Sequence, residues 1–591
     1  MDREELSKVL PDSASSLYSY VEDMQFATDP PMGMSVSEVS SYDVRGDYAV
    51  LHLFSPLQDT ESLMLMVGSD LYHGDEAGFT RYDDVSRTIV IRPGPELLTL
   101  LSVGHPSLMV VSDMKFLIRA ASEFLSKHSR SIGFPPRPPS EWEPIFPDGS
   151  SPSEQQISAV ESILSNGLSY VWGAPGTGKT QFVLATCIRT CIAHGLKVAV
   201  FAPTNNSVEQ VLRGILKAFD KKELGDGILR LGVPTKDFLL EHPEMCEDVQ
   251  AQKRADRLRK SIANMEEILF ERTCERMRPN IERIGERLEA MGGTDNLEGN
   301  VMDDMKPVLS LCSSKMLDIG SLDGKDMRSV LAEAKSALYD RDRPALDIDE
   351  YVGISDSEIA ELISSMEEEL DRILSRCTSR RVKDVSIISG TPLQFISRFR
   401  PRHSEDDGRM EMDADRIFLD EAGYCNLVHA ACLLSNGVPI AFLGDHMQLP
   451  PVCEMDSDML AASASNGGRL KNAFLWDMNA LHCEELLFWP RDALALAYAS
   501  GAEPEFRATA RCNLTESHRF GQNLASILDR AVYHNGMTGL GKGDLELYYI
   551  DAIGAERKER GNEAEKTAIF EYLAKESPDP RSIAILTPYA D

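Results

Sequence analysis

The run Leu168-Ser-Tyr-Val-Trp172, then Gly173 to Thr180 (GAPGTGKT), then QFVLATCIRTCIAHG, reads as an apolar strand, a glycine-rich loop and a helix. A strand that turns through glycines straight into a helix belongs to an α/β fold with a parallel sheet. Gly173, Gly176 and Gly178 let the backbone turn its N–H groups inward around an anion, and the helix start adds its positive dipole end. Ala174, Pro175 and Thr177 complete the loop. Lys179 has the reach for β- and γ-phosphates, and the Thr180 hydroxyl suits Mg²⁺. A chance glycine-rich turn is the bland alternative, and the strand before and helix after argue against it. The expectation is a nucleoside triphosphate site.

Around this unit the chain is organised in blocks. Residues from about 45 to 112 carry short β-rich runs (DYAVLHLF, SLMLMVG, RTIVIR, SLMVVS), spaced as in a small β-barrel or sandwich. Helices near 3–25 and 113–128 flank them. The segment Phe134 to Pro147 (FPPRPPSEWEPIFP) predicts an extended linker. From about 150, strand and helix alternate, with strands at Leu196–Thr204, Val385–Thr391, Arg416–Glu421 and Ile440–Asp445. Between about 220 and 384 the alternation stops. Two apolar stripes at 3/4 spacing appear there, Leu258 to Met291 (which Pro279 should kink) and Ile359 to Cys377, the second behind a capping box at Ser355 and Glu358. They fit an inserted helical hairpin or two ordinary helices on a core. A second α/β block starts near 505, with strands at about 509–516, 545–550 and 582–588. The divisions are therefore 1–133, a linker at 134–150, a first sheet domain at 151–504 with its insert, and a partial second domain at 505–591.

The 94 acidic and 61 basic side chains give a net charge of −33, so any nucleic-acid binding must come from a local basic patch. Eleven cysteines are scattered without a CxxC pair, which fits buried thiols in a reducing compartment and argues against zinc. No apolar run approaches the roughly 20 residues of a membrane span, so the expectation is a soluble, intracellular, cytoplasmic protein.

Arg416-Ile-Phe-Leu-Asp420-Glu421 is an apolar strand ending in two acids, where Asp420 would hold Mg²⁺ and Glu421 would orient and deprotonate the attacking water. The next strand ends GDHMQLPP, placing Gln448 to touch a γ-phosphate; a polar turn fixed by two prolines is its alternative. Arg376, Arg380, Arg381, Lys383, Arg398, Arg400 and Arg402 face the single acid Asp384 within their stretch, a local basic strip or a solvated arginine-rich face.

Together GAPGTGKT, FAPTNNSVEQ, SIISGTP, LDEAG, GDHMQLPP and NLTESHRFG resemble superfamily 1 helicases, of the nonsense-mediated-decay, senataxin and switch-region-binding type. The resemblance runs from about Ser151 to the last residue, and implies a P-loop RecA-like motor domain followed by a second RecA-like domain. It implies that Gln156 reads adenine, hence ATP, and that Arg519 is an arginine finger to the γ-phosphate. His518 stands where the family usually has Tyr, so a base-stacking role there competes with an idle surface histidine. Pro203, Thr204, Asn205, Ser389, Gly390 and Thr391 match motifs that contact the backbone of a single strand of RNA or DNA, with Arg380, Arg381 and Arg398 around them. The implied activity is ATP-dependent 5′-to-3′ helicase or translocase action. After Ile583 to Tyr589 the family continues with a QG-containing and an arginine-bearing motif that are not present, leaving the second motor domain at about 85 residues, incomplete as a sheet. Either the gene product continues past Asp591, the favoured reading, or the form is a truncated, hydrolysis-defective helicase. A nucleotide-gated switch that recruits a protein partner through the helical insert is the competing function.

Overall fold

The computed structural model describes residues 1, 3–24, 34–55, 57, 63–68, 70–83, 86–104, 106–139, 142–219, 227–248, 251–290, 299–315, 317, 326–341, 351, 353–374, 376–453, 455, 457–465, 470–542, 550, 563–576 and 585. They fall into two compact units, Met1–Trp172 with Lys179–Asn513, and Gly173–Gly178 with Leu514–Asp591.

At the N-terminal end of the larger unit, seven strands form one antiparallel sheet: β1 (Met34–Arg45), β2 (Tyr48–Leu53), β3 (Leu63–Val67), β4 (Asp70–Tyr72), β5 (Phe79–Asp83), β6 (Thr88–Ile91) and β7 (Leu108–Asp113). Their order is β4-β3-β7-β1-β2-β6-β5. Alternation makes the inner face: Ala49, Leu51 and Leu53 of β2 meet Ile89 and Ile91 of β6 in one core with Leu65, Phe79 and Val110. β1 changes partner midway, pairing with β7 through Glu38 and with β2 from Val39, where a bulge breaks the register. Its sequence, MSVSEVSSYDVR, has no apolar run, which is why sequence spacing began the β region too late. Among the described pairings β4 and β5 remain the two end strands, so the barrel closure expected from strand spacing is not among them. Helices Arg3–Met24 and Met114–His128 flank the sheet and pack on each other. They also seat it on the rest of the unit: Phe124 meets Phe395 at 5.5 Å, and the Ser13 hydroxyl donates to the Asn472 carbonyl at 2.7 Å. No helix of the described residues is long and apolar enough to cross a membrane.

The second sheet carries the chemistry. β8 (Leu168–Gly173), β9 (Val198–Phe201), β10 (Ile228–Arg230), β11 (Ile387–Gly390), β14 (Arg416–Leu419), β15 (Ile440–Gly444) and β16 (Ala510–Leu514) lie in the order β10-β11-β9-β14-β15-β8-β16. A minor parallel pair, β12 (Phe399–Arg400) and β13 (Met410–Glu411), precedes β14. From β10 through β8 every neighbour pair is parallel, and these strands are buried along their whole length, as helices on both faces require. β10 falls inside the stretch read as insert; at three residues it is too short to register as a period. The strand foreseen near 509–516 as the start of a second block instead lies beside β8 as the edge of this first sheet. An unpaired β8 edge would leave a row of backbone groups open, and β16 covers it.

The insert is helical. Helix Ala251–Ala290 runs forty residues, continuing through Pro279, and packs on helix Asp356–Leu374 through Met265, Ile268 and Ile359. The capping box holds: Ser355 N–H donates to Glu358 Oε2 at 2.8 Å and Glu358 N–H to Ser355 Oγ at 3.3 Å. Helices Gly299–Ser314 and Met327–Tyr339 add a second core around Cys274, Met305 and Val330, so the insert is more than a hairpin.

The smaller unit contains, among described residues, a two-stranded parallel pair, β17 (Glu516–Ser517) and β18 (Thr538–Gly539), and helices Gln522–Leu528 and Glu563–Glu576. The strands foreseen at 545–550 and 582–588 lie, apart from Ile550 and Ile585, outside the described residues.

Candidate nucleotide site

In the larger unit the candidate residues collect at the carboxyl ends of β8, β14 and β15, where an open parallel sheet presents its ligand-facing loops. Lys179 and Thr180 open a π-helical turn, Lys179–Leu184, before helix Ala185–Ala193; such widened turns concentrate at functional sites. Thr180 Oγ1 donates to Asp420 Oδ2 at 2.6 Å. Asp420 is 1 % exposed, and burial pushes its carboxyl above the ordinary range, opposed by the Thr180 hydroxyl, the Lys179 charge and the Glu421 N–H. Lys179 is itself buried.

Glu421 follows in the left-handed region at φ +52°, with its N–H on Asp420 Oδ1 at 3.0 Å. A glutamate in that conformation is strained, and strain of this kind gathers at working sites. The adjoining glycines are dictated by packing: a Cβ on Gly423 would stand 2.7 Å from the Asp445 carbonyl oxygen, and one on Gly444 2.9 Å from the Ala422 nitrogen. Gln448 is exposed, and its Nε2 donates to Asp445 Oδ2 at 2.9 Å.

Gln156 is buried at the start of helix Glu154–Ser165, where its Oε1 accepts from the Ser153 N–H at 3.1 Å in a capping box. The helix start thus accounts for a glutamine here without a ligand, although an amide oxygen has a second lone pair.

A hard pair of oxygens, one anionic, suits Mg²⁺, whose neighbouring ligands in octahedral geometry lie roughly 3 Å apart. The Thr180 hydroxyl and Asp420 carboxylate match that requirement in kind and spacing.

In the smaller unit the loop glycines Gly176 and Gly178 take φ +83° and +85°. Thr177 Oγ1 bonds the Ala174 carbonyl at 2.9 Å, and Ser517 Oγ bonds the Pro175 carbonyl at 2.8 Å. The His518 N–H reaches the Gly176 carbonyl at 2.9 Å. A Cβ on Gly176 would stand 2.4 Å from Arg519 Cβ, so glycine there is a matter of space as well as φ. Arg519 and His518 are exposed. Ser517, which holds both the loop and the Arg519 N–H (3.3 Å), had no signal in the sequence beyond being a serine before a histidine.

The residues assigned to a nucleic-acid strand divide sharply. Thr204 is exposed and caps helix Asn205–Ala218, Pro203 is half-buried beside it, and Asn205 Oδ1 accepts from Arg230 at 3.1 Å. Ser389 and Thr391, by contrast, are buried, and Thr391 is tied into a capping box with Gln394. A Cβ on Gly390 would fall 2.3 Å from Gln394 Oε1.

The basic strip is largely paired from within. Arg381 clamps the carbonyls of Ile228, Glu244 and Cys246, Arg398 pairs with Glu247, Arg400 with Glu411, and Arg402 with Asp413 and Asp415. Counting acids only within residues 376–402 overstated the strip, because the fold brings partners from outside it. Arg376, Arg380 and Lys383 remain exposed.

A parallel sheet with a lysine–hydroxyl loop end after β8 and a buried acid at the tip of β14, one strand away across β15, fits the P-loop class of α/β protein. The family described as an AAA domain matches residues 151–455, and the chain belongs to that family. Over 99 residues it is 35 % identical to the helicase required for RNAi-mediated heterochromatin assembly 1 of Schizosaccharomyces pombe; that stretch is 16 % of this chain and 9 % of the relative, so the chain matches only a small part of it. A solved structure titled the structure of PRRSV helicase aligns over 84 % of this chain and 51 % of its own, at 11 % identity and a TM-score of 0.22.

Proposed function

We propose that the chain is an ATP-dependent helicase or translocase acting on single-stranded RNA or DNA, in the 5′-to-3′ class that the sequence resemblance implies. The observation that carries the nucleotide part is the Thr180–Asp420 contact beside Lys179, with Glu421 next in the chain. In this reading Lys179 neutralises the β- and γ-phosphates, and Thr180 and Asp420 hold Mg²⁺, which lends charge neutralisation at the phosphates. Glu421 orients and deprotonates the attacking water; its strained backbone fixes the carboxylate, while Gln448 meets the γ-phosphate. Arg519 supplies a further cation, an assignment that rests on the ESHRFG match. The 35 % match to a helicase supports the motor reading, and Thr204 is the implied strand contact best exposed for it. We also assign 1–133 as a β-rich module on helical stalks, 134–150 as linker, 151–504 together with the edge strand β16 as the first RecA-like domain, and the residues after β16 as part of a second.

The internally paired arginines favour a second reading, a nucleotide-gated switch that recruits a protein through the helical insert. ATPase rate with and without single-stranded RNA and DNA separates the two. Stimulation by either polymer, lost on charge reversal at Arg376 and Arg380 with a shallower salt dependence of binding, supports the motor. Hydrolysis indifferent to both polymers supports the switch.

A further inference from the structure

Trp172 is the penultimate residue of β8, the strand that leads into the phosphate loop, and its register partner on β15 is Gly444, one residue before Asp445. The indole is 6 % exposed, and its Nε1–H donates to Asp445 Oδ1 at 3.0 Å. Asp445, 3 % exposed, accepts the Met447 N–H on the same oxygen at 3.1 Å and Gln448 Nε2 on the other at 2.9 Å. A carboxylate only accepts, so it dictates which way the Gln448 amide faces. One amide N–H is held by Asp445, leaving the second N–H to meet a phosphate oxygen and Oε1 to accept from a water. An exposed glutamine without such an anchor would rotate among several orientations.

The anchor is itself enclosed. The His446 ring lies 4.6 Å from the Trp172 ring and shares a 2.9 Å hydrogen bond with the Tyr170 hydroxyl. Tyr170 stacks on Phe506 at 5.2 Å, and the Arg511 guanidinium lies 5.2 Å from both the Trp172 and Phe506 rings. Burial and the Arg511 charge hold the His446 imidazole below its ordinary pKa, so around neutral pH it packs uncharged against the indole. The indole therefore has one defined rotamer, from which its N–H points at Asp445.

We propose that Trp172 is a positioning residue for Gln448, acting through Asp445 to hold the glutamine amide in the orientation that meets the nucleotide. This rests on the reading of Gln448 as the γ-phosphate contact. It makes the strand before the phosphate loop and the loop after β15 one hydrogen-bonded device rather than two separate motifs.

Trp172→Phe keeps an aromatic ring and removes the N–H. In the full chain, kcat for ATP falls between about tenfold and a hundredfold, as misplacing a reacting group does, while KM moves little. Gln448→Ala gives a similar loss, and the double variant is no slower than Gln448→Ala alone, because residues acting as one unit are not additive. A wild-type kcat in Trp172→Phe, or additive losses, overturns the proposal. Asp445→Asn, nearly isosteric, gives the same kcat loss if the anchor is real and none if it is not. A second readout needs no nucleotide: the emission of Trp172, taken as wild type minus Trp172→Phe, shifts in an Asp445→Asn background, and an unchanged difference spectrum overturns the contact. If the wild type hydrolyses no ATP the ATPase reading fails, and the emission experiment still decides whether Trp172 anchors Asp445.

Discussion

Two strands of the same sheet, β11 and β14, are each four residues long, each buried throughout, and each run into a short polar segment. At the tip of β14 the polar groups are held at a cost: a buried carboxylate with raised proton affinity, and a glutamate in a strained backbone. At the tip of β11 the Thr391 groups are met by the fold itself: Thr391 N–H goes to Gln394 Oε1 at 2.9 Å and Gln394 N–H returns to Thr391 Oγ1 at 3.3 Å. Ser389, two residues before it, is fully buried and its hydroxyl has no hydrogen-bond partner among the described residues. A motif reads both tips as ligand contacts. Physical chemistry separates Thr391 from Asp420 and Glu421, because a group is available to a ligand when the fold leaves its charge, strain or hydrogen-bonding capacity uncompensated.

The largest effects belong to the β14 tip. Glu421→Gln keeps the shape and the hydrogen-bonding oxygen but cannot take a proton, so hydrolysis drops by about 10² to 10⁴ while nucleotide binding persists. Single-turnover hydrolysis beside a direct binding titration checks this; hydrolysis at the wild-type rate would remove Glu421 from the base role. Lys179→Ala loses productive binding as well, which separates charge neutralisation at the loop from proton transfer at the strand.

Next in size is a pH effect at Asp420. Its carboxyl pKa is raised in the folded protein, so in the absence of metal it contributes stability at low pH that is lost as pH rises through the folded value. Mg²⁺ binds the ionised form, so binding releases a proton and Mg²⁺-nucleotide affinity weakens as pH falls toward that raised value, by up to about tenfold per pH unit. Asp420→Asn binds more weakly at every pH and loses the slope. A wild-type affinity flat from neutral pH down into the carboxylate range would place the metal elsewhere.

The sequence exposed much of the β14 side and little of the β11 side, for reasons visible in single residues. An apolar run closing on Asp420-Glu421 is a local pattern, as is the glycine loop, and local patterns can be read without tertiary partners. Whether Thr391 faces a ligand depends on Gln394 three residues later, and nothing in SGTPLQ distinguishes a capping box from a strand contact. The fate of Arg398 depends on Glu247, about 150 residues away in sequence, and that of Arg402 on Asp413 and Asp415. Charge counted along a chain misses partners brought by topology. The early start of β1 and the three-residue β10 were missed because neither shows a hydrophobic period.

A smaller change tests how tightly the β14 and β15 tips are held together. Gly423→Ala places a Cβ 2.7 Å from the Asp445 carbonyl oxygen, where only backbone can give way. The expected cost is about 1–3 kcal/mol of stability, as for other overpacked sites, with a fall in hydrolysis as the Asp445 loop shifts. Thermal melting and ATPase rate measured on the same preparation check this, and an unchanged ATPase rate would separate the tips from the chemistry.

The smallest effect sharpens the other half of the contrast. Thr391→Val removes the oxygen that caps helix Pro392–Arg398 while keeping the branched shape, and loss of such a cap costs about 1 kcal/mol. If the β11 tip is closed on itself, the variant melts slightly lower but binds single-stranded RNA or DNA with the affinity and salt slope of the wild type, since no phosphate contact has been lost. Thr204→Val, at an exposed cap in the same sheet, loses a similar cap energy and also weakens the strand, because its hydroxyl is reachable from solvent. If Thr391→Val were the variant that weakened the strand, the capping box would have to open when nucleic acid binds, and β11 would join β14 as a tip whose polar groups work on a ligand.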